Sequence, residues 1–122
     1  MRAAEQNVAS LEPYRWQKRV LLVFAPDTGD PRLLEQRRII ADARSAAEER
    51  DLVVIEVTGQ DLTRDAALRH RFGIDGNFKV VLVGKDGGAK LAVDEPLMAA
   101  QFIETIDAMP MRRQERQDKH RS

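Results

Sequence analysis

The most informative absence in this sequence is that of cysteine, which does not occur in any of the 122 residues. Disulfide bonds, thiolate nucleophiles and cysteine-ligated metal sites are therefore excluded together. Histidine is nearly as scarce, because the chain has two, His70 and His120, and they belong to different predicted elements. A metal site built from several histidines is therefore not expected. We predict that His70, which stands between Arg69 and Arg71, is exposed on a helix surface.

A net charge, a long apolar segment and a phosphate-binding loop are also missing. The 20 basic and 20 acidic side chains cancel, which argues against the strong positive field of a non-specific nucleic-acid binder. The longest apolar stretch, residues 20–26, is far shorter than the roughly 20 residues that a membrane span needs. The glycine-containing turn at residues 84–88 is not followed by a helix, so it does not match a phosphate loop. No cofactor is expected.

The length and the 43% hydrophobic content predict one domain with a single core region. We assign residues 1–10 to an N-terminal extension, residues 11–110 to the domain and residues 111–122 to a basic polar tail. The tail has five basic residues against two acidic ones and is expected to be frayed and mobile. Residues 1–20 contain no continuous apolar segment typical of a secretory signal. We expect a cytoplasmic protein as numbered, or a periplasmic or secreted one if the chain is a trimmed precursor.

The first half of the domain reads as strand, long helix, strand. The apolar runs Arg19–Phe24 and Leu52–Val57 predict two strands, the first buried and central. Asp30 followed by Pro31 predicts a helix start, and the helix is expected to continue to about residue 50. Its predicted buried stripe consists of Leu33, Gln36, Ile40, Ala43 and Ala47.

The second half adds a helix, a hairpin and a last helix. Residues 61–72 read as a helix ended by Gly73, with Ile74 placed for the contact that accompanies a glycine C-cap. Residues 78–83 and 90–93 flank a tight Asp-Gly turn and predict an antiparallel pair. Pro96 is expected to open the last helix and Pro110 to stop it.

This element order predicts an α/β fold of thioredoxin-like architecture. The order is strand, helix, strand, helix, two antiparallel strands and helix. Right-handed crossovers then give a four-stranded mixed sheet in the order 2-1-3-4, counting strands along the chain, with helices on both faces. The competing fold is a flavodoxin-like domain that lacks one strand. The tight turn at residues 84–88 argues against it, because a doubly wound sheet would need another helix there.

Three segments resemble a known family over residues 11–115. The sequence resembles the bacterial domain-of-unknown-function family of thioredoxin-like or peroxiredoxin-like domains, which also occur in animal sushi-repeat-containing and coiled-coil-domain-containing extracellular proteins. The resemblance implies the fold but brings no reaction with it. The segments that carry it are Trp16-x-x-Arg19-x-Leu21-Leu22-x-Phe24-Ala25-Pro26, Lys85-Asp86-Gly87-Gly88 and Ile106-Asp107-x-Met109-Pro110-Met111-Arg112-Arg113.

Compared with catalytic thioredoxins, the sequence lacks both active-site devices. The loop after the first strand, where a redox pair would sit at a helix N-terminus, is Pro-Asp-Thr-Gly-Asp at residues 26–30. The proline that precedes the third strand in catalytic relatives is absent from Gly-Asn-Phe at residues 76–78. The likeness to peroxiredoxins can therefore concern only shape, and thiol oxidoreductase or peroxidase activity is not expected.

The candidate ligand loop consists of Asp27, Thr28, Asp30 and the nearby Gln36. Two carboxylates beside a threonine could hold a hard cation, although in an exposed loop such a pair more often forms a helix cap and a hydrated turn. Gln36 is a polar side chain on a buried stripe, so it either ties the loop or a strand carbonyl in place or faces a ligand. The aromatic Tyr14, Trp16 and Phe24 are interpreted as a lid on the core.

The candidate partner-binding residues are Met111, Arg112 and Arg113. We expect Met111 to fold back onto the domain after Pro110 and to fix the two arginines as a rigid basic pair at its edge. The alternative is that Met109 and Met111 are core plugs and that both arginines are merely hydrated. Our leading hypothesis is a non-catalytic thioredoxin-like module that binds an unidentified protein partner. The alternative is a small-ligand binder, or a cysteine-independent enzyme, that uses the loop after the first strand.

Overall fold

The computed structural model describes residues 11–59, 62–74 and 77–121, and its centre is a four-stranded mixed sheet. Its strands are β1 (Arg19–Phe24), β2 (Leu52–Val57), β3 (Lys79–Val83) and β4 (Ala89–Val93), in the order β2-β1-β3-β4. β1 pairs with β2 in parallel and with β3 antiparallel, and β3 pairs with β4 antiparallel. The predicted sheet order and mixed pairing are therefore confirmed, as are the bounds of β1 and β2.

Five α-helices and one short 3-10 helix surround this sheet in the described part of the chain. They are the 3-10 helix Glu12–Tyr14, α1 (Pro31–Asp42), α2 (Arg44–Glu49), α3 (Leu62–Phe72), α4 (Ala99–Asp107) and α5 (Pro110–Arg121). None of these helices is both long and apolar enough to pass through a lipid bilayer.

Two hydrophobic clusters fill the two faces of the sheet. Successive side chains of a strand point to opposite faces, so Leu21 and Val23 join one cluster while Leu22 and Phe24 join the other. The first cluster contains side chains from α1, α2 and α4, and the second contains Leu68 of α3. All six residues of β1 are buried, which confirms it as a central strand covered on both sides.

The predicted helix over residues 31–50 is two helices. Asp30 caps α1 as expected, since its side chain accepts from the Arg32 amide. At Ala43 the backbone leaves α-helical geometry, with φ −111° and ψ 27°, and the Ala43 amide is shared by the carbonyls of Ile39 and Ile40. The buried stripe also differs from the prediction, since Ile39 is buried whereas Ile40 is half-buried.

The last predicted helix is also wrong at both ends. It begins at Ala99, with Met98 as its N-cap, because the Gln101 side chain accepts from the Met98 amide at 3.1 Å. Pro110 opens a further helix instead of ending one, since proline has no N–H to lose in a first helical turn. The frayed tail expected after Met111 is therefore wrong, and α5 runs to Arg121.

The two glycine-dependent turns form as predicted. Gly73 ends α3 with φ +67°, and the Ile74 amide donates to the Arg69 carbonyl at 2.8 Å. In the β3–β4 turn Gly87 has φ +87°, and the Gly84 amide donates to the Gly88 carbonyl at 2.9 Å. The expected first residue of α3, at position 61, lies outside the described residues.

Candidate functional site

The loop after β1, where thioredoxins carry their redox pair, has carboxylates that are already engaged. Asp27 accepts from the Gly29 amide at 2.9 Å. Asp30 accepts from the Arg32 amide at 2.8 Å, and the Arg32 guanidinium lies 2.8 Å from its other oxygen. The hydrogen bond from the Arg32 side chain lowers the pKa of Asp30 to about 2. Thr28 is exposed. The described groups of this loop therefore serve the turn and the α1 cap.

Gln36 is buried and binds the backbone of the segment before α4. Its Nε2 donates to the Leu97 carbonyl at 3.0 Å and its Oε1 accepts from the Leu97 amide at 2.6 Å. The sequence placed Gln36 correctly on a buried face, and a structural tie was one of the roles expected for it. The tied segment, however, is neither the loop after β1 nor a strand.

A cleft of about 500 Å³ lies at the opposite end of the central strands from this loop, where β1 begins and β3 ends. The end of α4 and the start of α5 form one wall. The apolar side chains that line it come from Trp16, Ala108, Met109, Pro110 and Met111. The polar lining comes from Arg19, Lys85, Asp86, Lys90 and Thr105. A cleft of this volume, mostly apolar and with a few polar groups, has the composition of a binding site.

Trp16 stands at this cleft with an unusual backbone conformation. Its φ is +69°, a region that bulky residues rarely adopt, and its amide donates to the Lys85 carbonyl. The side chain is 57% exposed, and the Arg15 guanidinium lies 5.1 Å from its ring centroid. The interpretation of Trp16 as a core lid is therefore wrong. Tyr14 is half-buried and Phe24 fully buried, as a core role requires.

The floor of the cleft is made by Arg19, which is completely buried. Its Nη1 donates to the Arg50 carbonyl at 2.8 Å, and its Nη1 and Nη2 donate to Glu115 at 3.3 and 3.2 Å. Its Nε is buried and has no hydrogen-bond partner among the described residues. A buried guanidinium N–H without an acceptor is rare enough to need an explanation.

Lys85 is the second buried cation of the cleft. Its Nζ lies 2.9 Å from Asp51 and 2.7 Å from Glu115. Burial alone would raise the pKa of Glu115, but hydrogen bonds from Lys85 and Arg19 outweigh it and hold that pKa below its ordinary value. Glu115 therefore stays ionised and links α5 to the start of β1 and the end of β3.

Arg112 belongs to the inside of the domain and not to its surface. Only 5% of its side chain is exposed, and it lies 2.7 Å from Glu49 and 3.2 Å from Asp107. Arg113 is exposed, and at about 100° per helical residue it lies on nearly the opposite side of α5 from Met111. The expected surface pair of Arg112 and Arg113 is therefore wrong.

Met111 is 37% exposed and lines the cleft, so it is not the core plug of the alternative interpretation. Met109, just before α5, takes the buried position instead. Of the three candidate partner-binding residues, Met111 alone is both accessible and part of the cleft.

The charged side chains behind the cleft form one connected group, which we call the charge network. Ion pairs join α5 to α2 and α4 through Arg112, and to Arg19 and Lys85 through Glu115. The two halves meet where Arg112 lies 3.9 Å from Glu115. The members are Lys18, Arg19, Arg50, Lys85 and Arg112 with Glu49, Asp51, Asp107 and Glu115.

No group of three or more histidine or acidic side chains within the described ranges could hold a metal ion. The cleft combines an apolar wall, an exposed tryptophan and a floor of fixed cations. These features suit non-covalent recognition.

Residues 10–115 match the family described as Domain of unknown function (DUF4174). The chain belongs to this family. The match covers the whole cleft, from Trp16 to Met111, and confirms the family resemblance seen in the sequence. No curated protein matches the DUF4174 chain.

Two solved structures share the fold of this DUF4174 domain. The reduced 2-Cys peroxiredoxin of Plasmodium vivax is 15% identical, with a TM-score of 0.65 over 87% of this chain and 84% of that one. Thioredoxin peroxidase I of Plasmodium yoelii is 16% identical, with a TM-score of 0.65 over 85% and 79%. At these identities the likeness establishes the thioredoxin-like fold alone.

Proposed function

We propose that this DUF4174 domain is a non-catalytic thioredoxin-like module that binds another protein, and that the partner docks in the cleft at the start of β1. The observation that carries the proposal is Trp16, exposed at the cleft and held there in a left-handed backbone conformation. That conformation costs a non-glycine residue roughly 1–2 kcal/mol. Backbone strain of this kind is concentrated at functional sites.

The chemical character of the cleft also supports protein binding. Tryptophan is enriched among the residues that contribute most to protein interfaces, because it offers a large apolar area together with a polar N–H. Met111, on the same cleft, is a flexible apolar side chain of the kind that adapts to different partners. Together they give an interface an apolar centre.

The lack of cysteine and the contacts of the loop after β1 support the non-catalytic part of the proposal. The chain has no sulfur nucleophile, and the carboxylates of the loop after β1 are bound to backbone amides and to Arg32. The loop after β1 and the cleft at the start of β1 therefore differ in the groups that they expose. Trp16 and Met111, the large exposed apolar side chains of the cleft, lie near the start of β1, away from the position of a thioredoxin active site.

The proposal is tested by affinity capture with the purified domain as bait and quantitative mass spectrometry of what it retains. The variants are Trp16→Ser and Met111→Ser. The matched control is Met98→Ser, since Met98 is also exposed, at 53%, but does not line the cleft. We expect a partner that the wild type and Met98→Ser retain and that both cleft variants lose. Equal recovery by all four proteins would refute the cleft as the docking surface.

A further inference from the structure

We infer that the cleft recognises a chain segment in which an aspartate or glutamate stands next to apolar side chains. This inference rests on the proposed function and adds the chemistry of the partner. It follows from the unequal make-up of the cleft, whose walls are apolar and whose floor consists of buried cations.

The apolar part of the partner is set by the walls. Trp16 and Met111 are the accessible apolar side chains, and Pro110 and Met109 continue the surface between them and the floor. Lys90 and Asp86 on the rim lie 2.8 Å apart and neutralise each other. A side chain entering between Trp16 and Met111 therefore meets hydrocarbon and an aromatic ring first.

The acidic part of the partner is set by the floor. Lys85 is the cation of the floor that an incoming group can reach, because 8% of its side chain is exposed whereas Arg19 is fully buried. Its ammonium group has three N–H donors, and its partners in the described part of the chain are Asp51 and Glu115. A carboxylate that reaches the floor would therefore meet a donor that Asp51 and Glu115 already hold in place. Donors that are fixed before binding lose little conformational entropy, which strengthens such charge-assisted contacts.

A protein segment fits this combination better than nucleic acid. A nucleic-acid site needs a row of exposed basic side chains for successive phosphates. Here Arg19 is fully buried and Lys85 is 8% exposed, so the floor offers one reachable cation, which can meet one carboxylate at most. The expected partner therefore presents a single acidic group beside apolar side chains.

The test uses Trp16, which is the only tryptophan of the chain and lines the cleft, as a fluorescent reporter. The probe is an acetylated and amidated hexapeptide in which one aspartate stands next to leucine and phenylalanine and the other three residues are glycine. Its controls replace the aspartate by asparagine, or leucine and phenylalanine by serine. We expect a saturable change in Trp16 emission with the acidic apolar peptide and a Kd at least about tenfold weaker with either control.

Variants of the protein test the floor and rim separately. We expect Lys85→Gln to remove the preference for aspartate over asparagine. Lys90→Gln exposes the Asp86 charge and should weaken binding of the acidic peptide severalfold, whereas Lys79→Gln should not. Lys79 is the matched control, because Lys79 and Lys90 are both 35% exposed and both paired with an aspartate. If Lys85→Gln does not fold, the aspartate and asparagine peptides still decide the question on the wild-type protein.

Equal affinity for the aspartate and asparagine peptides, or no response to any peptide, would overturn the inference. A saturable response to octanoate without one to the peptides would make the cleft a small-molecule site and overturn it as well. The proposed function fails separately, when capture of a partner does not depend on Trp16 and Met111. A partner that needs both residues, combined with no acidic preference, would leave the protein-binding function standing and refute its acidic specificity.

Discussion

Gln36 and Leu97 satisfy each other's polar groups, since the glutamine amide both donates to and accepts from the backbone of the same buried residue. Replacement by leucine would leave the Leu97 amide and carbonyl without these partners. An unpaired buried polar group costs about 1–3 kcal/mol. We therefore expect Gln36→Leu to lower the free energy of unfolding by about 2 kcal/mol or more, measured by urea denaturation followed by circular dichroism.

The matched control is Gln114→Leu, which makes the same chemical change at an exposed position of α5. A surface substitution of this kind changes the free energy of unfolding by about 0.5 kcal/mol or less. Similar losses in the two variants would contradict a structural role for Gln36, and a gain in stability with Gln36→Leu would indicate that the glutamine is kept for a ligand.

Substitutions of Trp16 should separate the backbone strain at this position from its role in partner binding. Glycine adopts a positive φ without strain, so Trp16→Gly removes a cost of roughly 1–2 kcal/mol that Trp16→Ala retains. Because glycine is freer than alanine in the unfolded chain, about 0.4–1 kcal/mol of this gain in stability is lost again. We expect the glycine variant to be more stable than the alanine variant by up to about 1 kcal/mol in guanidinium denaturation. Both should lose the partner, and a more stable alanine variant would show that Trp16 is not strained.

Glu115 predicts how stability depends on pH. Burial raises its pKa, but the hydrogen bonds from Lys85 and Arg19 lower it more, so the folded pKa lies below the ordinary 4.5. The resulting stabilisation is complete above pH 4.5 and is lost as the pH falls through the lowered folded value. We expect Glu115→Gln to flatten the loss of unfolding free energy below pH 4.5.

The control for this pH profile is Glu104→Gln, an exposed position on α4. It should reproduce the acid-side slope of the wild type. Wild-type slopes in both variants would mean that the contacts of Glu115 do not contribute to folding. Asp107, whose pKa is raised by burial but lowered more by Arg50 and Arg112, keeps some slope in the Glu115 variant.

Variants in the loop after β1 test whether the partner binds at that loop or at the cleft. Asp30→Ala removes the cap of α1 and should lower the free energy of unfolding by about 0.5–2 kcal/mol. Thr28→Ala, at an exposed position of the same loop, should change it by less than about 0.5 kcal/mol. Partner capture should survive both changes. Loss of the partner with Thr28→Ala would place binding at the loop instead of the cleft.

The strands and the end of α3 were predictable because the signals for them are local. β1 and β2 are short apolar runs with clear polar ends, and Gly73 supplies the positive φ that closes a helix. The 2-1-3-4 sheet then follows from the handedness of crossover connections. The strand and helix ends depend on local signals alone, whereas the pairing of β1 with β3 brings distant residues such as Val20 and Val83 together.

The candidate site was not predictable in the same way, because its contacts are distant in sequence. Arg19 and Glu115 are 96 positions apart, so no local pattern indicates that they meet. Arg112 in a basic segment has the composition of a surface residue until α5 places it against Glu49 and Asp107. Trp16 before a strand suggests a core lid equally well, and its exposure depends on one left-handed turn.

The attachment of α5 through charged groups has a consequence for hydrogen exchange. Neither hydrophobic cluster contains a described residue of α5, so the helix can detach without opening the core. Its backbone amides should therefore exchange through a local opening that is cheaper than global unfolding and that salt promotes by screening the ion pairs. Such an opening would carry Met111 away from Trp16 and dismantle the cleft. A bound partner should accordingly slow amide exchange in α5 while leaving exchange in the central strands unchanged.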